Sequence, residues 1–118
     1  MRSIIVVAED DLLISMLIED ILTDNGYSVV TVANADEALA ALARLGSVAA
    51  LLTDIDMPGT INGLELAAKL ASTRPDLPVI VASGKHRPSV AELGEARFLG
   101  KPFLGEELIA IVDEMVAR

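Results

Sequence analysis

Ala49-Ala50-Leu51-Leu52-Thr53-Asp54-Ile55-Asp56-Met57-Pro58-Gly59 is the stretch on which the reading of this chain turns. A short, nearly continuous aliphatic run meets a carboxylate, then a second carboxylate two residues on, then a Pro-Gly turn. Such a run, bounded by turn residues, suits a strand covered on both faces, as in a parallel sheet. Asp54 then stands where the strand ends. It is either a turn residue or part of a site, and a carboxylate behind Leu51-Leu52 needs a reason to be there.

Working outward, four more apolar runs are expected as strands: Ile4–Ala8, Val29–Val32, Val79–Ala82 and Arg97–Leu99. The second alternates more and is flanked by Ser28 and contains Thr31, which suits a place nearer a sheet edge. Helical patterns separate the runs. The first carries Ile14, Leu17, Ile18, Ile21 and Leu22 on one face and ends at Asn25-Gly26. The second opens with Asn34 and Glu37 at capping-box spacing, followed by Ala38, Leu39 and Leu42. The third follows Asn62-Gly63 with Leu64, Ala67, Leu70 and Ala71 inward, and stops before Pro75. The fourth is short, with Ser89 and Glu92 at capping-box spacing and Gly94 as its close. The last turns Leu108, Ile111, Val112 and Met115 inward and leaves a second stripe, Ile109 and Val116, outside. Strict alternation of this kind predicts a single α/β domain over residues 1–118, with right-handed crossovers and helices on both faces of a parallel sheet.

Composition narrows the functions. The net charge of -9 repels a phosphate backbone, and three aromatics, Tyr27, Phe98 and Phe103, give no stacking platform for single strands. Nucleic acid is therefore not expected as a partner of this domain. The chain has no cysteine, which removes disulfides and thiolate metal sites. Its opening apolar run is too short for a signal peptide core, and no stretch approaches a membrane span. A soluble, cytoplasmic domain that does not enter membranes is expected.

In open parallel sheets chemistry collects at the carboxyl ends of the strands. Here those ends carry Glu9-Asp10-Asp11, Asp54-Ile55-Asp56, Ser83-Gly84 and Lys101-Pro102-Phe103. Neighbouring carboxylates repel and raise one another's pKa unless a cation offsets them. A hard divalent cation with oxygen ligands suits the set, and Mg²⁺ takes one or two carboxylates while keeping water or phosphate oxygens. That leaves a carboxylate free to attack phosphorus, with an ammonium (Lys101) and a hydroxyl (Ser83) to meet the charge. Each residue also has a plainer reading. Glu9 to Asp11 could be an acidic helix start, and Asp11 is best read that way. Ser83-Gly84 could be turn chemistry, Lys101 a surface lysine and Phe98 a core aromatic. His86 is read as a solvated loop residue.

In order and at the strand ends, these motifs resemble the response-regulator receiver domains of two-component signalling, over essentially the whole chain. The resemblance implies a flavodoxin-like (βα)5 three-layer sandwich with strand order 2-1-3-4-5. It implies Asp54 as phosphoacceptor in the D-x-x-M-P-G motif, and Mg²⁺ held by Glu9, Asp10, Asp54 and the backbone carbonyl of Asp56. It further implies Ser83 as switch hydroxyl, Lys101 as phosphoryl partner before a cis Pro102, and Phe98 as aromatic switch. A histidine kinase or phosphotransfer protein is the implied donor, and the readout is a partner, an output domain or a homodimer.

The chain departs from that pattern in three places. The Gly59–Gly63 loop is one residue longer than usual, and Gly84 to Gly100 is short for a full fourth helix, so that helix is expected to be brief or mobile. Asp56 and Lys85 border the attacking water's route, and as opposite charges they are expected to pair and tune phosphoryl lifetime. Two other functions fit parts of the pattern. Asp54-Ile55-Asp56 also resembles the D-x-D of haloacid-dehalogenase-type phosphatases, though those carry it on the first strand. A phosphorylation-independent docking module is the third.

Overall fold

Every apolar run becomes a strand in the computed structural model, which describes residues 3–117. The elements alternate without exception: β1 (Ile4–Ala8), α1 (Leu12–Asp24), β2 (Ser28–Val32), α2 (Ala35–Leu45), β3 (Ala50–Asp54), α3 (Gly63–Thr73), β4 (Val79–Ser83), α4 (Val90–Leu93), β5 (Arg97–Gly100) and α5 (Gly105–Val116). All pairings are parallel, in the order β2-β1-β3-β4-β5, so β2 is indeed an edge strand. The fold is the flavodoxin-like sandwich.

The pleat of the strands explains the three layers. Ile5, Val7, Leu52, Ile80 and Ala82 face one side and pack with Ile18, Leu22, Leu108, Ile111, Val112 and Met115 of α1 and α5. Their neighbours Val6, Ala8, Leu51, Val79 and Val81 face the other and pack with Ala38, Leu42, Leu66 and Leu70 of α2 and α3. Fully burying an aliphatic side chain of this size stabilises by about 1.5–3 kcal/mol, so both faces are needed.

The helix ends follow their caps. The Asp11 carboxylate accepts from the Leu13 and Ile14 amides, the helix-start role read from sequence. Asn34 caps α2 through the Glu37 amide, but Glu37 reaches back to the Ala33 amide rather than to Asn34. Full capping boxes close at Asn62–Glu65 and Ser89–Glu92. The fourth helix is brief, as expected, with four residues and none buried.

Three helix faces differ from their expected setting. α1 seats on Ser15, Ile18 and Leu22, and Leu17, about 100° around the axis from Ile18, is left 60% exposed. In α3 Leu66 is buried with Ala67 and Leu70, while Ala71 is exposed and Leu64 only half-buried. The stripe Ile109 and Val116 is not left outside: both are half-buried against the α1–α5 core, because α1 lies alongside α5.

Candidate functional site

Parallel register brings the strand ends to one edge. Ala8 lies beside Thr53, Asp54 beside Ala82 and Ser83 beside Gly100. The residues that follow are thereby gathered around Asp54. Ligand oxygens of Glu9, Asp10 and Asp54 lie within 4.8 Å of one another. Across them reaches Lys101, whose Nζ is 2.6 Å from Glu9 Oε1 and 3.5 Å from Asp54 Oδ1. The Lys101–Pro102 peptide is cis.

Burial decides the electrostatics. The Asp54 side chain is only 11% exposed. Burial first, and the Glu9 charge second, push its pKa up to about 6 against the opposing pull of Lys101. Burial works to lower the pKa of Lys101, but its hydrogen bond to Glu9 and the charges of Asp54 and Glu9 outweigh that and raise it. Glu9 is buried, and its second oxygen accepts from the Asp11 amide. Asp10 is exposed at the rim. A cluster of hard oxygens with one solvent-facing carboxylate fits a small divalent cation, and Glu9, Asp10 and Asp54 would hold it.

The remaining predicted residues line the β4 side. Ser83 ends β4 and is buried; its hydroxyl donates to Asp56 Oδ2 at 3.3 Å and accepts from the Lys85 and His86 amides, each at 3.0 Å. The Asp56 carboxylate stands outside the acidic cluster. It does not pair with Lys85, as expected from the sequence, but with His86, whose Nε2 lies 2.9 Å from Oδ1. The physical reason is the turn made by Ser83, which folds the loop back and presents the third residue rather than the second. His86 is an exposed loop residue, as read from the sequence, and its ring additionally pairs with Asp56. Phe98 is half-buried against the α2–α3 face, with the Arg87 guanidinium 5.7 Å from its ring centroid.

Gly63 is a site residue that sequence reasoning passed over, having registered it only as part of a helix opening. A Cβ there would sit 2.1 Å from the Asp54 carbonyl oxygen and 2.9 Å from Ile55 Cα. Its amide donates to the Ile55 carbonyl at 2.9 Å. The start of α3 thus rests directly on the backbone of Asp54.

Beside the pocket α1 exposes an apolar face: Leu12 at 72%, Leu13 at 79%, Met16 at 52% and Leu17 at 60%. Leu17 and Lys101 line a common cleft of about 440 Å³ together with Ile14, Pro102 and Phe103. Among the described residues no helix is long and apolar enough to cross a membrane.

Residues 5–113 match the response regulator receiver domain family. Response regulator MprA of Mycobacterium leprae is 34% identical over 97% of this chain and 51% of its own length. The DNA-binding transcriptional regulator NtrC of Azospirillum brasilense is 34% identical over 92% of this chain and 23% of its own. The chain therefore spans about half or less of these curated relatives. Among solved structures, a putative response regulator of Chloroflexus aurantiacus superposes with a TM-score of 0.90 at 27% identity, covering all of both chains. A response regulator receiver protein of Sinorhizobium medicae gives 0.89 at 25% identity over 98% of this chain and 95% of that one. The match favours neither the phosphatase nor the docking-module reading. With the acids of β1 and β3, the hydroxyl of β4 and the lysine of β5 all in place, the chain belongs to the response-regulator receiver domains of two-component signalling.

Proposed function

We propose that Asp54 accepts a phosphoryl group from a histidine kinase or phosphotransfer protein, and that the aspartyl phosphate switches the domain's conformation. The switch then controls a partner, an output domain or dimerisation. A carboxylate oxygen of Asp54 attacks phosphorus, the P–N bond to the donor imidazole breaks, and an acyl phosphate forms. Glu9, Asp10, Asp54 and the carbonyl of Asp56 would hold Mg²⁺, which would supply charge neutralisation for the transferring phosphoryl group. Lys101 moves its pairing from Asp54 to the new phosphoryl anion, Ser83 donates its hydroxyl proton to it, and Phe98 follows the Ser83 movement. Asp56 and Lys85 flank the route of the hydrolytic water and tune lifetime. The chemistry is confined to the domain's own phosphorylation and dephosphorylation, in the cytoplasm.

The observation that carries this reading is the placement of Asp54: largely covered, in a carboxylate cluster, and within 3.5 Å of the lysine from β5. With a pKa near 6 it is mostly ionised at neutral pH and so able to attack. Incubation with acetyl phosphate and Mg²⁺ should add one phosphoryl group to the intact mass, and Asp54→Asn should abolish the gain. A phosphorylated Asn variant would sink the assignment.

The protein donor is proposed to dock on the apolar face of α1, which shares a cleft with Lys101. Leu13→Ser with Leu17→Ser should leave acetyl phosphate loading unchanged and slow transfer from a phosphorylated donor by about tenfold or more. Equal transfer rates would remove α1 from the interface.

A further inference from the structure

We infer that His86 is a positioning residue: through Asp56 it holds the Ser83 hydroxyl away from Asp54 and so sets how readily the site loads a phosphoryl group. The inference rests on Asp54 being the acceptor, and it concerns a residue that the sequence motifs leave out.

A serine hydroxyl has one proton to give and two lone pairs to fill. In Ser83 all are committed: the proton to Asp56, the lone pairs to the Lys85 and His86 amides. None of these bonds goes to Asp54. The bond to Asp56 is long, at 3.3 Å, and would be weak if the carboxylate were free to turn. It is not free, because its other oxygen is held at 2.9 Å by His86 Nε2. An ionised carboxylate only accepts, so His86 must present a proton on that nitrogen. The result is a closed ring, Ser83 hydroxyl to Asp56 carboxylate to His86 imidazole and back through the His86 amide. It ties the loop after β3 to the loop after β4 beside a nearly covered Asp54.

For the Ser83 hydroxyl to serve a phosphoryl group on Asp54, the ring must open. Asp56 is 43% exposed, so without His86 its carboxylate would turn to water and release the serine proton. The ring belongs to the unphosphorylated arrangement alone. Its loss should therefore speed loading and leave the lifetime of the phosphorylated form unaltered. Loss of one exposed charge-assisted hydrogen bond corresponds to about a two- to fivefold change in rate.

The test compares wild type, His86→Ala and His86→Gln, the last keeping an N–H donor near the position of Nε2. Acetyl phosphate loading with Mg²⁺ is followed by intact mass, together with acyl phosphate half-life and exchange of the Lys85 amide. Alanine should load about two- to fivefold faster with an unchanged half-life and a faster-exchanging Lys85 amide; glutamine should restore wild-type values. Wild-type loading and exchange in the alanine variant, an altered half-life, or glutamine behaving as alanine would each overturn the latch. If wild type itself does not load, the acceptor assignment fails, and Lys85 exchange in the two variants still decides whether His86 holds the ring.

Discussion

The two walls of the pocket around Asp54 are built differently. The wall beneath Asp54 is backbone against backbone: Gly63 lies on the Asp54 carbonyl, and Ile55, buried, bonds to both Gly63 and Ala82. The wall after β4 is held by side chains, several of them exposed: Ser83 to Asp56, Asp56 to His86, and Arg87 over Phe98. α4, which follows it, buries no residue. The difference teaches where a phosphorylation switch can afford to move. Asp54, as the proposed nucleophile, has to be held near its attack geometry, since small displacements cost large factors in rate. The responding wall has to rearrange for the few kcal/mol that one phosphoryl group can supply, and exposed hydrogen bonds fall within that range.

The largest expected effect comes from breaking the rigid wall. Gly63→Ala would place a methyl group 2.1 Å from the Asp54 oxygen, against backbone that cannot turn aside as a flexible side chain could. Destabilisation of about 3 kcal/mol is expected, measured by urea denaturation, together with slowed loading of Asp54. A variant of wild-type stability and wild-type loading would show that this wall yields as easily as the other.

Next in size is the cost of burying Asp54 itself. Burial and the Glu9 charge raise the Asp54 pKa from 3.8 to about 6, so the folded protein binds this proton more tightly than the unfolded chain. The stability tied to that proton is fully present below the ordinary carboxylate pKa and is lost as pH rises through about 6. Wild type without divalent ions should therefore lose about 2–3 kcal/mol over that window, and Asp54→Asn should not. At neutral pH the Asn variant should be the more stable by a similar amount, and Mg²⁺ should narrow the gap. Parallel pH–stability curves for the two proteins would refute this account of the pocket.

How much of each wall was legible in the sequence follows from the same contrast. Strands and their terminal residues could be read because aliphatic runs stop abruptly at Asp54, Ser83 and Glu9, and a parallel sheet then gathers those ends by necessity. The departures lie where tertiary seating decides. Leu17 and Leu66 sit at the margins of amphipathic helices, and a rotation of a fraction of a turn exposes one and buries the other. Charge alone paired Asp56 with Lys85; the turn that Ser83 makes with its own loop brings His86 forward instead. Gly63 carried no visible mark beyond a helix opening, since a close approach of backbone leaves no pattern in the sequence around it.

The smallest effect concerns α4, and it tests whether the responding wall is as loosely held as its contacts suggest. Ser89 and Glu92 form a full capping box around a helix of only four residues. A single turn fixes several dihedrals for very few hydrogen bonds, so the cap and the packing must carry it. Packing is meagre: a cavity of about 300 Å³ opens between α3 and α4, lined by Ala67, Ala71, Leu93 and Ala96 among others. The cap is then the principal support, worth about 1 kcal/mol. Ser89→Ala should raise the exchange rate of the Leu93 and Gly94 amides about fivefold and leave the global urea midpoint where it was. A shifted midpoint would mean that α4 unfolds together with the sheet. In that case both walls would belong to one cooperative unit, and the signal from Asp54 would have to be carried by the fold as a whole.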